Sequence, residues 1–277
     1  MVIYAWCGSR LKDHLVNTAR ASLKVRNLGR IAEVIAYKLS NYCSWAESKI
    51  SANEAYELIL LTLALHDIGK ACSRYQESVI LNSSECKANF RYHEVVSAAI
   101  VAEALLPVSL SDPVRAAITL SILNHHHALR DIKSVATTYL PAHRDVISES
   151  GPFIYDASKL PQEISIELGL RSPLIRSITD SLVEVCRESC NESNLGDFVS
   201  YLIAGIRGRP GGYVFLIRGV RRYYSGITKY LISMLSGLIS IADNLSAYCE
   251  RSNRRNPFVN KLLNELNVTC EALLWRR

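Results

Sequence analysis

An imidazole and a carboxylate stand side by side at His66 and Asp67, directly after a strongly apolar segment, residues 53–65. Apolar residues occur on nearly every side of that segment, so it is expected to form a helix in the middle of a domain. Burying an unpaired polar group costs on the order of 2–7 kcal/mol, and burying a charge costs more. A bound cation would offset that cost. Gly69 is expected to end the helix in a left-handed turn, with Lys70 directed back towards the pair.

Five more side chains with metal-binding chemistry fall at helix positions that could face the same centre. They are His14, His93, His125, His126 and Asp243. With His66 and Asp67 they supply five imidazoles and two carboxylates, which is more ligands than one ion can use. The set therefore predicts two divalent cations that share Asp67. Its nitrogen-rich character favours Mn, Fe, Co or Ni and leaves Mg as an alternative.

Two cations at about 3.5–4 Å stabilise both the attacking and the leaving oxygen of a phosphoryl transfer, and they lower the pKa of bound water. The predicted chemistry is therefore metal-dependent hydrolysis of a phosphate ester. For any one of the histidines taken alone, a helix C-cap is the commoner role. Asp243 alone could be a polar helix residue beside an arginine. His143 fits no motif and is expected at the surface.

The order of these residues resembles the HD superfamily of metal-dependent phosphohydrolases. More closely, it resembles the HD nuclease of type I CRISPR systems in its stand-alone form, which lacks the helicase. The resemblance covers roughly residues 1–250. It rests on Tyr4-Ala5 with His14, on His66-Asp67-Ile68-Gly69-Lys70, on His93-Glu94-Val95-Val96-Ser97-Ala98, on tandem histidines before Leu129-Arg130-Asp131, and on Ala242-Asp243.

The resemblance implies a role for each matching residue. One metal would be held by His14, His66, Asp67 and Asp243, and the other by Asp67, His93, His125 and His126. Asp67, Lys70 and Ser97 would be the catalytic residues, with Lys70 and Ser97 in contact with phosphate or bound water. The family has two adjacent histidines where this chain has three, so the pair His126-His127 stays open beside His125-His126.

The resemblance also implies DNA as the substrate, with a separate CRISPR helicase subunit and a crRNA-guided surveillance complex as partners. Gly69-Lys70 lacks the upstream glycine of a nucleotide-binding phosphate loop, so the chain is expected to prefer single strands that a motor supplies. RNA stays open as a second substrate. Two other functions stay open as well: an HD phosphohydrolase that acts on nucleotides, and a non-catalytic HD-derived subunit that binds nucleic acid.

A basic segment near residue 210 is the predicted contact with the nucleic-acid backbone. Its candidate residues are Arg207, Arg209, Arg218, Arg221 and Arg222. Tyrosines interleave with them, which is typical of surfaces that bind single strands. The net charge of +6, with 22 arginines against 10 lysines, agrees with a polyanionic partner. The alternative is a solvated basic loop.

Helical periodicity runs through most of the chain and predicts an all-α HD-superfamily domain with at most a small β-hairpin near 213–218. The stripe over residues 10–39 is expected to kink or divide at Gly29. Residues 138–160 are expected to form a loop, and a last helix is expected from 258 to 275.

We expect an HD nuclease domain over residues 1–250 and a C-terminal helix within 251–277 that packs on the same domain. No run of eighteen apolar residues and no apolar leader occurs, so the expectation is a cytoplasmic protein without a membrane partner. Eight cysteines without a Cys-x-x-Cys pair argue against a zinc knuckle and favour small buried side chains, with a disulfide left open.

Overall fold

The computed structural model describes residues 1–42, 50–81, 86–127, 143–218, 227–251 and 257–274. These ranges contain fourteen α-helices and four short strands, so the all-α prediction is confirmed. The elements are β1 Tyr4–Trp6, β2 Ser9–Arg10, α1 Leu11–Lys24, α2 Arg26–Tyr42, α3 Ala52–Leu65, α4 Ser73–Glu77, β3 Ile80–Leu81, β4 Cys86–Lys87, α5 His93–Ala104, α6 Asp112–Asn124, α7 His143–Ser150, α8 Leu160–Leu168, α9 Pro173–Glu188, α10 Glu192–Ile206, α11 Val214–Arg218, α12 Ile227–Glu250, α13 Pro257–Leu266 and α14 Cys270–Leu273.

The two most apolar helices, α3 and α5, lie in the centre of the fold. Ser51 and Glu54 form a capping box that begins α3, because each side chain binds the backbone N–H of the other residue. Helix α3 then packs against α1, α2 and α9, while α5 packs against α6, α9 and α10. The turn that follows α3, Ile68–Ala71, meets α5, which brings His66 and His93 to one place.

Helix α12 closes this core and packs against α1, α2 and α6. In the described chain, one stretch, Thr228–Glu250, is long and apolar enough to cross a membrane by length and composition alone. Half of its most apolar window is buried inside the protein, and a core helix passes the same test. Its length is therefore weak evidence for a membrane.

Both antiparallel hairpins lie away from the predicted position. Strands β1 and β2 pair near the start of the chain, and β3 pairs with β4. The predicted hairpin near 213–218 is wrong, because Val214–Arg218 is helix α11. The neighbouring residues Phe215 and Leu216 are both buried, which suits one face of a helix, whereas a half-buried strand alternates.

Two further boundaries differ from the expectations. The first helical stripe divides at Val25 rather than at Gly29. A Cβ on Gly29 would lie 3.1 Å from the Ser22 backbone oxygen, so this glycine allows close packing across the break. The expected loop at 138–160 contains α7, which buried Val146 anchors to the core.

The C-terminal segment forms two helices, α13 and α14, instead of one. Helix α13 packs against α12, and α14 packs against both α1 and α12. A disulfide between Cys249 and Cys270 joins the last turn of α12 to the first residue of α14. The C-terminal helices are thereby held beside the end of α12, where Glu250 lies.

Candidate metal centre

The seven predicted metal ligands lie together, at the ends of α3 and α6, the start of α5, and the facing sides of α1 and α12. They form two groups, Asp67 with His93, His125 and His126, and His14 with His66, Asp67 and Asp243. Within each group the candidate ligand atoms all lie within 4.8 Å of one another. Asp67 belongs to both groups.

The turn that presents Asp67 is built differently from the expectation. After α3 the chain continues through His66 into a 3-10 helix, Ile68–Ala71, and Gly69 does not adopt the predicted left-handed conformation. A Cβ at Gly69 would lie 2.6 Å from the backbone oxygen of His93 and 2.7 Å from the backbone nitrogen of Ser97. Glycine is therefore needed here so that the turn can contact the start of α5.

Both carboxylate oxygens of Asp67 face imidazole nitrogens. Oδ1 lies 2.7 Å from Nε2 of His93 and 3.6 Å from Nε2 of His125. Oδ2 lies 3.4 Å from Nε2 of His14 and 3.4 Å from Nε2 of His66. Each oxygen thus points to one of the two groups, which is the arrangement of a carboxylate that could bridge two cations.

Three of the imidazoles have the same orientation, fixed by the backbone. Each donates its Nδ1–H to the carbonyl three residues earlier, and the pairs are His66 with Leu63 at 2.8 Å, His93 with Phe90 at 2.6 Å, and His125 with Ile122 at 2.6 Å. A carbonyl can only accept, so each Nδ1 carries a hydrogen, and Nε2 is the nitrogen that is available to bind a cation. All three Nε2 atoms face the centre.

His14 is oriented by a carboxylate that the sequence analysis missed. Its Nδ1 donates to Oε2 of Glu250 at 3.1 Å, and Ser9, Asn17 and Ser246 also donate to that carboxylate. Burial alone would raise the pKa of Glu250, but the imidazole of His14 and the hydrogen bonds lower it to about 2. The available signal was the seven-residue spacing from Asp243, which places both acids on one face of α12.

Both His125 and His126 reach the centre because α6 ends at Asn124 and the chain then changes to a tighter helix. His125–His127 is a 3-10 helix, which turns about 120° per residue rather than 100°. Nε2 of His126 lies 3.1 Å from Nε2 of His93, so the pair His125-His126 contributes to one metal group. The side chain of His127 lies outside the described residues.

Lys70 and Ser97 have different surroundings. Nζ of Lys70 lies 2.5 Å from Oδ2 of Asp67, which confirms that this side chain turns back towards the pair. Ser97 is fully buried, and its hydroxyl accepts a hydrogen bond of 2.9 Å from the Gly69 N–H. The structure therefore shows Ser97 as a residue that positions the turn, and its contact with phosphate or bound water stays a prediction.

The electrostatics of the centre suit a cation. Burial opposes ionisation of Asp67, but His66 and Lys70 hold the pKa of Asp67 well below its usual value. Among the described residues, the Nε2 atoms of His14, His66 and His125 are buried without a hydrogen-bond partner, while Oδ2 of Asp67 pairs with Lys70. Buried polar atoms normally have partners, and a cation in each group would supply one to these nitrogens.

A family model described as the HD domain of Cas3 matches residues 10–247 of the chain. The chain belongs to the Cas3 HD domain family. This is a family of metal-dependent nucleases, and the two His/Asp groups of this chain could hold metal ions. The fold and the ligand set thus agree with the resemblance seen in the sequence.

Individual relatives are more distant. A CRISPR-associated endonuclease Cas3-HD of Saccharolobus solfataricus is 30% identical over 142 residues, which are 48% of this chain and 57% of that protein. The chain therefore spans little more than half of that relative. The Cas3 HD domain protein of Methanocaldococcus jannaschii is 18% identical with a TM-score of 0.48, covering 86% of this chain and 99% of that one. T. fusca Cas3 with AMPPNP has 16% identity and a TM-score of 0.35, covering 91% and 27%.

The predicted nucleic-acid contacts that the structure describes in this Cas3 HD chain are outside both metal groups. Arg218 pairs with Asp112 at 3.0 Å, and Asp112 begins the helix that His125 follows. Thirteen residues at 1.5 Å each separate the two ends by about 20 Å. Arg207 and Arg209 are exposed after α10. Arg221 and Arg222 lie outside the described residues, and His143 is exposed and outside both groups.

Proposed function

We propose that this chain is a nuclease that uses two divalent cations to hydrolyse phosphodiester bonds of DNA, with a preference for single strands, in type I CRISPR interference. The observation that carries the proposal is the position of Asp67, which belongs to both ligand groups and directs one oxygen to each. Membership of the Cas3 HD family supports the reaction class.

The two groups divide the work of holding the cations. His14, His66 and Asp243 would bind one ion, His93, His125 and His126 the other, and Asp67 both. When bound, such ions supply Lewis-acid stabilisation of phosphate charge and a hydroxide from water near neutral pH. The imidazole majority favours Mn, Fe, Co or Ni over Mg.

The chain's own residues orient and complement this centre. Glu250 and the three backbone carbonyls hold the imidazole rings in place, so that little rearrangement is needed when a cation binds. Lys70 lines the opening to the centre and would bind a phosphate oxygen there with its ammonium group.

The proposed preference for single strands goes with a separate motor that would supply the strand. Gly69-Lys70 is not part of a nucleotide-binding phosphate loop. A separate helicase subunit and a crRNA-guided surveillance complex would supply the strand, and the reaction would take place in the cytoplasm.

The decisive experiment incubates the purified protein with Mn²⁺ and no ATP. The substrates are single-stranded DNA, blunt duplex of the same sequence, single-stranded RNA and a nucleotide panel. We expect cleavage of the single-stranded DNA. Hydrolysis of nucleotides alone would instead support a nucleotide phosphohydrolase, and metal binding without any hydrolysis would support a non-catalytic subunit. Equal or faster cutting of the blunt duplex would contradict the single-strand preference.

A further inference from the structure

The opening that leads to the metal groups has an aromatic wall. Trp6 and Phe90 lie on it with ring centroids 6.5 Å apart. The guanidinium of Arg251 lies 4.3 Å from the centroid of the Trp6 ring. Lys70, which contacts Asp67, lies 5.2 Å from the centroid of Phe90. Aromatic surface, positive charge and the candidate ligands therefore share one opening.

One side chain fixes the strand that carries Trp6. The amide of Gln76 accepts from Tyr4 N at 2.7 Å and donates to Tyr4 O at 2.9 Å, as a neighbouring strand would. The same amide donates to Lys70 O at 2.6 Å. Strand β1 is thereby tied to the turn of the metal centre, so Trp6 keeps a fixed position relative to Asp67.

The other end of the hairpin is tied to α12. Ser9 donates to the carboxylate of Glu250 at 2.7 Å, and Arg251 follows Glu250 directly in the chain. Trp6 is half-buried and packs against the edge of the core, and the guanidinium of Arg251 lies over its ring. Arginine beside an aromatic face is typical of surfaces that bind single-stranded nucleic acid.

We propose that Trp6, Phe90 and Arg251, here called the aromatic rim, stack a nucleobase of a single strand next to the phosphodiester at the metal groups. This inference rests on the proposed function and names the positioning site for its substrate. Every base has a π-face, so the aromatic rim would hold a strand of any sequence. A base inside a duplex is already stacked on its neighbours and could not occupy the rim.

The test compares a labelled oligothymidylate with the same strand carrying one abasic residue. Two quantities are measured: cleavage beside that residue with Mn²⁺, and binding affinity by fluorescence anisotropy without divalent metal. Loss of the base should lower both by about tenfold in the wild-type protein, the size of one base–aromatic stack. In Trp6→Ala the two strands should become nearly equivalent, whereas Trp6→Phe should keep most of the discrimination. Trp6→Leu retains bulk without a π-face and replaces the alanine variant if that one does not fold.

The matched control is Tyr230→Ala. Tyr230 is an exposed aromatic residue on α12 with Nζ of Lys38 5.4 Å from its ring centroid. It lies about 30 Å along the helix from Arg251. This variant should discriminate between the strands as the wild-type protein does.

The outcomes separate the two proposals. Wild-type discrimination in Trp6→Ala, or equal treatment of both strands by the wild-type protein, would overturn the aromatic rim. A wild-type protein that binds metal but cleaves neither strand would overturn the proposed function. The ratio of the affinities for the intact and the abasic strand, measured by anisotropy, would then test the aromatic rim without any contribution from cleavage.

Discussion

His14 donates a hydrogen bond of 3.1 Å to Glu250, so a carboxylate outside both metal groups fixes an imidazole that belongs to one of them. The bond spans 236 residues of sequence and joins α1 to the last residue of α12. It leaves Nε2 of His14 facing Asp67 at 3.4 Å and Asp243 at 3.2 Å. A carboxylate behind a metal-binding histidine fixes the ring and raises its basicity.

We expect Glu250→Gln to weaken metal binding at the His14 group by about 10- to 100-fold, the usual cost of losing such a partner. The group around His93 should keep its affinity, because Glu250 does not contact it. Competition with a chromophoric chelator measures both affinities. Glu265→Gln is the matched control, since Glu265 is exposed on α13 and pairs only weakly with Lys261 at 3.8 Å. If both groups bind metal in Glu250→Gln as tightly as in the wild-type protein, Glu250 does not support metal binding through His14.

Asp67→Asn should remove both cations and essentially all hydrolysis, since the neutral amide retains the shape of the side chain but not its charge. Elemental analysis after gel filtration counts the ions, and circular dichroism should still show a helical protein. His143→Ala, at an exposed histidine outside both groups, should leave metal content and cleavage unchanged. Two tightly held ions in the Asp67 variant would refute the bridging assignment.

Metal binding should release protons. Burial disfavours the imidazolium of His66, but Asp67 and Asp243 raise the pKa of His66 to about 9. Burial also opposes the charged form of His14, while Glu250 and Asp243 raise the pKa of His14. Both rings are thus protonated near neutral pH without metal, and a cation must displace those protons.

The apparent metal affinity should therefore rise as the pH increases from about 6 to about 9. Titration calorimetry at neutral pH, in two buffers with different ionisation enthalpies, detects the released protons as a difference in heat. Identical heats in the two buffers would show that no proton is displaced.

Ser97→Ala should destabilise the protein by about 1–3 kcal/mol, because the buried N–H of Gly69 would lose its acceptor. Thermal and urea denaturation of the metal-free protein measure the effect without any contribution from catalysis. Ser148→Ala removes an exposed serine whose hydroxyl donates to the carbonyl of Asp145, and it should change stability by far less. Wild-type stability in the Ser97 variant would contradict the positioning role and favour a contact of that hydroxyl with phosphate or bound water.

The triple variant with Ala at Arg218, Arg221 and Arg222 should weaken binding of long single strands. In a plot of the logarithm of the binding constant against the logarithm of the salt concentration, each lost phosphate contact should make the slope less steep by about 0.7. Arg218 lies at the far end of α6 from His125, so strands of about four nucleotides, the lower limit of such sites, should be bound and cut as by the wild-type protein. An unchanged salt slope with long strands would mean that the segment is only solvated.

The candidate ligands could be predicted from the sequence because burying polar and charged side chains is unfavourable unless they have partners, and a bound cation is such a partner. His66 and Asp67 end an apolar helix, and Asp243 lies among apolar neighbours, so each stands out without knowledge of the fold. The choice between the pairs His125-His126 and His126-His127 stayed open, since a sequence does not show where an α-helix continues as a 3-10 helix. Glu250 was missed because its role is to bind His14 on α1, and only the tertiary structure shows that contact.

The helical architecture was also predictable, while several local conformations were not. The aromatic and β-branched run at 213–218 favours a strand by propensity, but burial of two consecutive side chains makes it helical. Gly69 was assigned a left-handed turn, whereas it is needed for a close approach between backbones. In both cases the local conformational preference of the residues was predicted correctly, but tertiary packing determined the conformation.

The order of the ligands along the chain has a consequence for synthesis of the protein. A nascent chain that has been translated as far as His126 carries every member of the group around His93, but the group around His14 still lacks Asp243. Residue Glu250, which orients His14, emerges later still, at the end of α12. A two-cation centre can therefore assemble only after Asp243 has left the ribosome. The ribosome's own RNA and the messenger are thus exposed to an incomplete centre until the segment that carries Asp243 and Glu250 has emerged.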